Sequence, residues 1–157
     1  MSHALARELE TVWHREIPIS AGMGISVKEY DGRRLVVSAP LAPNVNVHGT
    51  AFAGSLYAIA ALCGWGITWL TLKQRALDAH IVIANGHIDY HRPVAETIVA
   101  TCALEPDVHR DAFDRLASAG KTRFPLVCRI GAGEAPAASF NGDYAVRLIR
   151  PGATSSG

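Results

Sequence analysis

A long stretch without charged residues constrains this chain more than any other feature. It runs from Gly49 to Leu72, and no Asp or Glu occurs between Asp31 and Asp78. Apolar residues recur along it at the spacing of one helix face, namely Leu56, Ile59, Ala60, Cys63, Ile67 and Leu70. The opposite side carries uncharged and mostly small residues, namely Tyr57, Ala61, Gly64 and Thr68. A helix without a charged face must be enclosed, either by protein or by lipid.

A transmembrane helix is the first alternative for this stretch, because about 20 apolar residues suffice to span a bilayer. Glycines dilute its hydrophobicity, however, and they are Gly49, Gly54, Gly64 and Gly66. Its flanks also lack the Lys/Arg asymmetry that sets membrane topology. The remainder of the chain has the pattern of strands that need a core to wrap. We therefore expect a core helix and no membrane partner.

Composition is typical of one globular domain. The chain has 157 residues, of which 49% are hydrophobic and 18% charged, and this apolar surplus in a small domain suggests a subunit interface. The net charge of +1 comes from mixed acidic and basic residues, so we expect no nucleic-acid partner. Cys63, Cys102 and Cys128 form no CxxC pair and lie in apolar runs, which predicts buried reduced thiols. The N-terminus lacks a signal-peptide pattern, and we expect a cytoplasmic protein.

The segments before the long stretch predict a helix and a hairpin. Residues 2–15 place apolar residues on one helix face, with Ser2 as a cap, and Ile17-Pro18 ends this helix. Two strands follow, joined by a turn at Asp31-Gly32.

The segments after the long stretch predict mainly strands, at residues 79–91, 97–104, 124–130, 137–140 and 144–149. Residues 107–122 are polar and partly helical. Runs of strands around a single helix favour an α+β fold. We predict one hotdog domain over residues 1–150, in which a twisted antiparallel sheet wraps around the long central helix. The tail at 151–157 is expected to be disordered.

Strict alternation divides the strand at 79–91 into two faces. One face would carry Val82, Ala84, Gly86, Ile88 and Tyr90, and the other Ile81, Ile83, Asn85, His87, Asp89 and His91. His87, Asp89 and His91 would then share one face, as metal ligands can. No fourth ligand is apparent, and a solvated or interface face explains these residues as well. We predict no metal site.

Several motifs resemble one known family. PLAPNVNVHGTAFAGSL at Pro40 to Leu56, followed by GWG at 64–66, resembles the YiiD C-terminal putative thioesterase family of hotdog proteins. EIPIS at 16–20 is similar to the N-terminal signature of that family, and IDYHRPV at 88–94 is similar to its strand after the central helix. The resemblance covers the chain from about Leu5 to Leu148.

The resemblance implies an enzyme of acyl thioesters carried by coenzyme A or acyl-carrier protein. Coenzyme A or phosphopantetheine would be part of the substrate, so no separate cofactor is expected. Such enzymes are homodimers or dimers of dimers, with active sites between subunits near the start of the central helix. The strand at about 81–90 is expected to pair with its twin across the dimer axis.

The start of the long helix offers the chemistry that this reaction needs. A helix N-terminus presents unpaired N–H groups and a positive dipole end, and donors aimed at a developing oxyanion can be the largest catalytic term. We predict Asn46, Ser55 and Asn44 as catalytic residues that donate hydrogen bonds or orient water. Structural roles are the alternative: Asn44 could shape the turn, and Thr50 or Ser55 could cap the helix.

Further residues around the helix start are predicted to bind substrate, namely Gly54, Thr50, Phe52, Tyr57, His48 and Asp89. Gly54 would let a ligand approach the backbone closely, while Phe52 and Tyr57 would line the acyl pocket.

The long helix lacks an acidic residue, and this leaves the type of reaction undecided between hydrolysis and decarboxylation. Many hotdog thioesterases carry an Asp or Glu early in this helix, where this chain has Ala61. Hydrolysis would need a base elsewhere, and Asp89, His87 and His48 are the candidates. Decarboxylation of a malonyl thioester needs an oxyanion hole and an apolar place for the carboxylate instead. We rank a thioesterase first, a malonyl-acyl-carrier-protein decarboxylase that primes fatty-acid synthesis second, and a non-catalytic acyl-binding protein third.

Overall fold

The uncharged stretch forms the central helix of a computed structural model that describes residues 2–150. The helices are α1 (Ser2–Glu16), α2 (Pro18–Gly22), α3 (Ala53–Gln74) and α4 (Pro106–Ala119), with a 3₁₀ turn at Ala42–Asn44. The strands are β1 (Ser26–Tyr30), β2 (Arg34–Ala39), β3 (Ala79–Tyr90), β4 (Ile98–Ala103), β5 (Lys121–Ile130) and β6 (Ala138–Leu148). The side chain of Ser2, predicted as a cap, and the predicted disordered tail at 151–157 lie outside what the structure describes.

The six strands form one antiparallel sheet in the order β1-β2-β4-β5-β6-β3. The strands β2 to β6 all pack against α3, so the sheet curls around the helix. The predicted α+β hotdog fold is therefore confirmed. Because β3 ends the strand order, one long side of this strand is a free edge of the sheet.

The apolar stripe of α3 is the core of the protein. Its six predicted members are at most 3% exposed. The mostly small side faces β6, where Tyr144 lies against Gly64 and its hydroxyl donates to the carbonyl oxygen of Ala61 at 2.8 Å. On a third side the ring of Trp13 packs against Gly66. By length and hydropathy α3 could cross a membrane, but 61% of its apolar window is buried inside the fold, as is typical of a core helix.

One face of α3 is covered only in part, and it consists of Ala58, Ala61, Leu62, Trp65 and Trp69. We call it the open face of α3. Trp65 and Trp69 are partly buried and pack against the core. The described chain therefore leaves an apolar helix face without a complete cover.

A β-bulge corrects the predicted faces of β3. The pairing with β6 shifts register between Ile83 and Asn85, so Ala84 is an extra residue. Beyond the bulge, Gly86 and Ile88 face α3 on the same side as Ile81, whereas strict alternation had separated them.

Residues 138–148 correct another prediction, since two short strands were expected there. They form the single strand β6, because Gly142 pairs with β3 on one side and β5 on the other, which keeps Asn141-Gly142-Asp143 extended. Two helices are also better defined than their sequence indicated. Pro18 breaks α1 but opens the short helix α2, a position that proline favours. The polar segment after β4 forms the complete helix α4.

Candidate active site

The first turn of α3 is open and unpaired. No side chain caps the helix, and the first hydrogen bond at its start runs from Leu56 N–H to the carbonyl oxygen of Phe52 at 3.1 Å. Within residues 2–150 the N–H groups of Ala53, Gly54 and Ser55 have no acceptor. The first turn also contains no acidic residue. Three free donors at the positive end of a helix can hold an anion or a developing oxyanion.

Asn46 organises the loop that leads into this turn. Its Oδ1 accepts hydrogen bonds from the N–H groups of His48 at 2.9 Å and Thr50 at 3.1 Å. Its Nδ2 donates to Thr50 Oγ1 at 3.0 Å and only weakly to the Ala51 carbonyl at 3.4 Å. The main chain closes the same loop through the Val45–Ala51 bridge. The amide predicted to donate to substrate is thus engaged in shaping the loop, and its catalytic role stays a prediction.

Asn44 anchors the loop from beneath. Its side chain is 2% exposed, and Nδ2 donates to the carbonyl oxygens of Met23 and Pro40, both at 2.8 Å. The main-chain carbonyl of Asn44 accepts the N–H of Phe52 at 2.7 Å, directly before α3. Its Oδ1 is buried and has no partner among residues 2–150. These contacts fit the structural alternative, and its catalytic role is also still a prediction.

Thr50 and Ser55 occupy different environments. The Thr50 hydroxyl is held by Asn46 and does not cap the helix. The Ser55 hydroxyl has no hydrogen-bond partner within residues 2–150 and lies on the open first turn, partly exposed. Ser55 is therefore the predicted catalytic side chain that remains free to meet a ligand.

The ring of Phe52 lies against Gly54, and a Cβ added at this glycine would overlap it. The ring itself is 55% exposed. Gly54 therefore lets the Phe52 ring approach the backbone closely, and its predicted role in admitting a ligand stays a prediction. A ligand that reaches the free N–H groups would contact this ring first.

Tyr90 is a site residue that the sequence reasoning did not select. Its hydroxyl donates to the Ala53 carbonyl at 2.8 Å, which ties the end of β3 to the start of α3. Partial burial, together with the nearby Tyr57, raises the pKa of Tyr90, so it stays a hydroxyl donor at neutral pH. The signal was present, because Tyr90 alternates onto the helix-facing side with Gly86 and Ile88.

His48 and Asp89 lie apart from one another. His48 is exposed on the loop before α3. Asp89 is on the outer face of the sheet, where Oδ1 lies 3.1 Å from His87 Nε2, so within one chain it points away from the α3 first turn. The nearby His91 contacts Ser139 instead, and within residues 2–150 no three such side chains are grouped to hold a metal.

Comparison of the chain with known proteins gives a family match. The sequence model of the YiiD C-terminal putative thioesterase family matches residues 6–148. The chain belongs to this family. It is similar over 91% of its length to the putative thioesterase of Shewanella oneidensis, with 34% identity, a TM-score of 0.82 and 97% of that chain covered. Membership supports a hotdog thioesterase with a thioester substrate.

Two further solved structures are similar to this chain. A Chlorobaculum tepidum protein of unknown function is 30% identical, with a TM-score of 0.89 and coverage of 94% of this chain and 96% of that one. A thioesterase of Haemophilus influenzae has 14% identity and a TM-score of 0.65, with 86% of this chain and 87% of that one covered. The latter likeness shows the fold alone.

Ala61 stands where the family resemblance implied that many hotdog thioesterases carry an Asp or Glu. The residue lies two turns into α3, and its main-chain carbonyl accepts the Tyr144 hydroxyl. Burial raises the pKa of Tyr144, so this phenol is a hydrogen-bond donor and not a base. Neither group supplies the proton acceptor that an Asp or Glu would provide there.

Proposed function

We propose that the protein hydrolyses acyl thioesters at the first turn of α3. The observation that carries this proposal is the row of unpaired N–H groups at Ala53, Gly54 and Ser55, in a chain of the YiiD C-terminal putative thioesterase family. The thioester oxygen would lie against these donors, which strengthen their hydrogen bonds as negative charge develops on it. The free hydroxyl of Ser55 adds a donor beside them.

Water is the nucleophile in this proposal. Its oxygen bonds to the carbonyl carbon, the carbonyl becomes an oxyanion, and the water proton passes to a base. Collapse of the intermediate breaks the carbon–sulfur bond, and the departing thiolate takes a proton. We assign the base to His48, because its loop leads directly into α3 and its main chain is fixed by Asn46.

A second copy of the chain completes the site in this proposal. The free edge of β3 exposes Val82 (58%) and Ile83 (38%), and the open face of α3 leaves two indoles half covered. Unpaired edges and apolar faces of this kind are normally covered. Val47, which is 95% exposed beside the α3 first turn, would be covered by the same partner. We therefore propose a homodimer with its active sites at the interface.

The substrate carrier is coenzyme A or an acyl-carrier protein, as the family resemblance implies. Incubation of the protein with acetyl and malonyl thioesters of both carriers tests the reaction. Hydrolysis releases free thiol, which a colorimetric thiol reagent detects. Absence of thiol and of any other product would refute an enzyme and leave the acyl-binding alternative.

One observation favours a second reaction, the decarboxylation of a malonyl thioester. The first turn of α3 has no acidic residue that would repel the malonyl carboxylate. Loss of carbon dioxide leaves an enolate oxygen that the same N–H groups would stabilise, and protonation of its carbon gives the acetyl thioester. Acetyl thioester plus carbon dioxide, without free thiol, is the result that would select this reaction over hydrolysis.

A further inference from the structure

The space between α3 and the β3–β6 part of the sheet is filled by three aromatic rings, those of Tyr57, Phe140 and Tyr144. Gly86 and Gly142 are directly paired on these strands, which leaves the inner sheet surface without side chains at that point. A Cβ at Gly86 would overlap the Tyr57 hydroxyl, and a Cβ at Gly142 would lie 2.7 Å from both Phe140 and Tyr144. The rings thus occupy the gap that the paired glycines create.

Two of these rings are fully buried and one is only partly buried. Phe140 and Tyr144 are fully buried, and Tyr144 is further held by its hydrogen bond to Ala61. Tyr57 packs edge-on against Phe140, with ring centroids 5.0 Å apart, but it is only partly buried. Its hydroxyl has no hydrogen-bond partner within residues 2–150. Tyr57 is therefore the outermost ring.

The position of Tyr57 relates these three rings to the proposed reaction site. Tyr57 follows Ala53 by one helical turn, so the two lie about 6 Å apart along the helix axis. An acyl chain whose carbonyl oxygen is held at the first turn gains most from burial if it runs along α3 toward the sheet. In that direction it passes Tyr90, which is bonded to the Ala53 carbonyl, and then reaches Tyr57, with two fully buried rings behind it.

We infer that Tyr57 limits acyl length and that the substrates are thioesters of short acyl groups, such as acetyl, malonyl and butyryl. This inference rests on the proposed function, because it places the thioester at the α3 first turn. Removal of the ring opens a cleft above Gly86. Each additional methylene buried there should then raise kcat/KM by roughly fourfold, up to the new limit.

Chain-length profiles of four proteins test the inference. Acetyl to decanoyl thioesters are compared for the wild type, Tyr57→Ala, Tyr57→Leu and Tyr57→Phe. For the wild type, kcat/KM should decline beyond butyryl. For Tyr57→Ala, the optimum of kcat/KM should shift to hexanoyl or octanoyl. The optimum for Tyr57→Leu should fall between these two. This variant also replaces Tyr57→Ala in the comparison if Tyr57→Ala fails to fold. Tyr57→Phe keeps the ring, so its profile should retain the short-chain optimum whatever its absolute rate.

A binding assay separates this inference from the proposed reaction. Calorimetry with S-alkyl coenzyme A thioethers of increasing length requires no turnover. Tighter binding of short chains by the wild type, with a shift to longer chains in Tyr57→Ala, supports the inference even if no thioester is hydrolysed. Identical profiles in both proteins, or a wild type that favours decyl over ethyl, would overturn it.

Discussion

Introducing a carboxylate into the first turn of α3 should raise stability and suppress activity at the same time. Ser55→Asp places a negative charge in a turn that has no acidic residue and three free N–H groups. Interaction with the helix dipole should stabilise the fold by about 0.3–1 kcal/mol, which corresponds to a Tm increase of about 1–4 °C for a domain of this size. A structural defect would change both quantities in the same direction.

The loss of activity follows from the proximity of the new charge to the oxyanion. Two like charges about 4 Å apart repel by about 4 kcal/mol at an effective dielectric constant of about 20. Ser55 is partly exposed, so we reduce this value to about 2–3 kcal/mol, equivalent to a fall in turnover of about 10²-fold. The new carboxylate would also compete with the substrate for the same N–H groups.

The assay compares thermal unfolding and thioester hydrolysis for three variants. Ser55→Asn has nearly the same shape without the charge and measures the loss of the hydroxyl alone. Ser118→Asp adds the same charge to an exposed serine near the end of α4 and should leave turnover unchanged. Equal losses in Ser55→Asp and Ser55→Asn would refute a charge effect. Full activity in Ser55→Asp would show that the oxyanion forms elsewhere.

Other predictions concern stability. The Asp31 carboxylate accepts hydrogen bonds from the N–H groups of Arg33 and Arg34, which lowers the pKa of Asp31. Its contribution to the free energy of unfolding should therefore be complete above about pH 4 and disappear as the pH falls through the folded-state pKa. Asp31→Ala should therefore cost up to about 0.5 kcal/mol at pH 7, and urea titrations at pH 7 and pH 2 should show the difference vanish. Lys121 is paired directly with Arg147 across β5 and β6, and Lys121→Glu should raise the free energy of unfolding by about 0.5 kcal/mol at low salt and less in 1 M salt. Gly64→Ala would overlap the ring of Tyr144 and should lower stability by about 1–3 kcal/mol in urea unfolding, whereas an unchanged midpoint would show that the ring moves freely.

Predictions from the sequence were correct where one local property of a segment decides its structure. The uncharged stretch had to be enclosed, which fixed α3 as the core and the strands as its cover. The Asp31-Gly32 turn between two strand patterns gave the β1–β2 hairpin. The absence of acidic side chains from the start of α3 could also be read from the sequence, whereas the absence of a side-chain cap could not.

The sequence by itself thus determined the central helix, the kind of sheet around it and the end of the helix at which donors are free. Only the tertiary structure decided which side chains share that end. Asn46 turned inward to its own loop, the Tyr90 hydroxyl bonded to the Ala53 carbonyl, and Asp89 lay beside His87 on the outer face of the sheet. The physical reason is that a helix needs only the residues along its own turns, whereas hydrogen-bond partners and strand faces depend on segments distant in the chain.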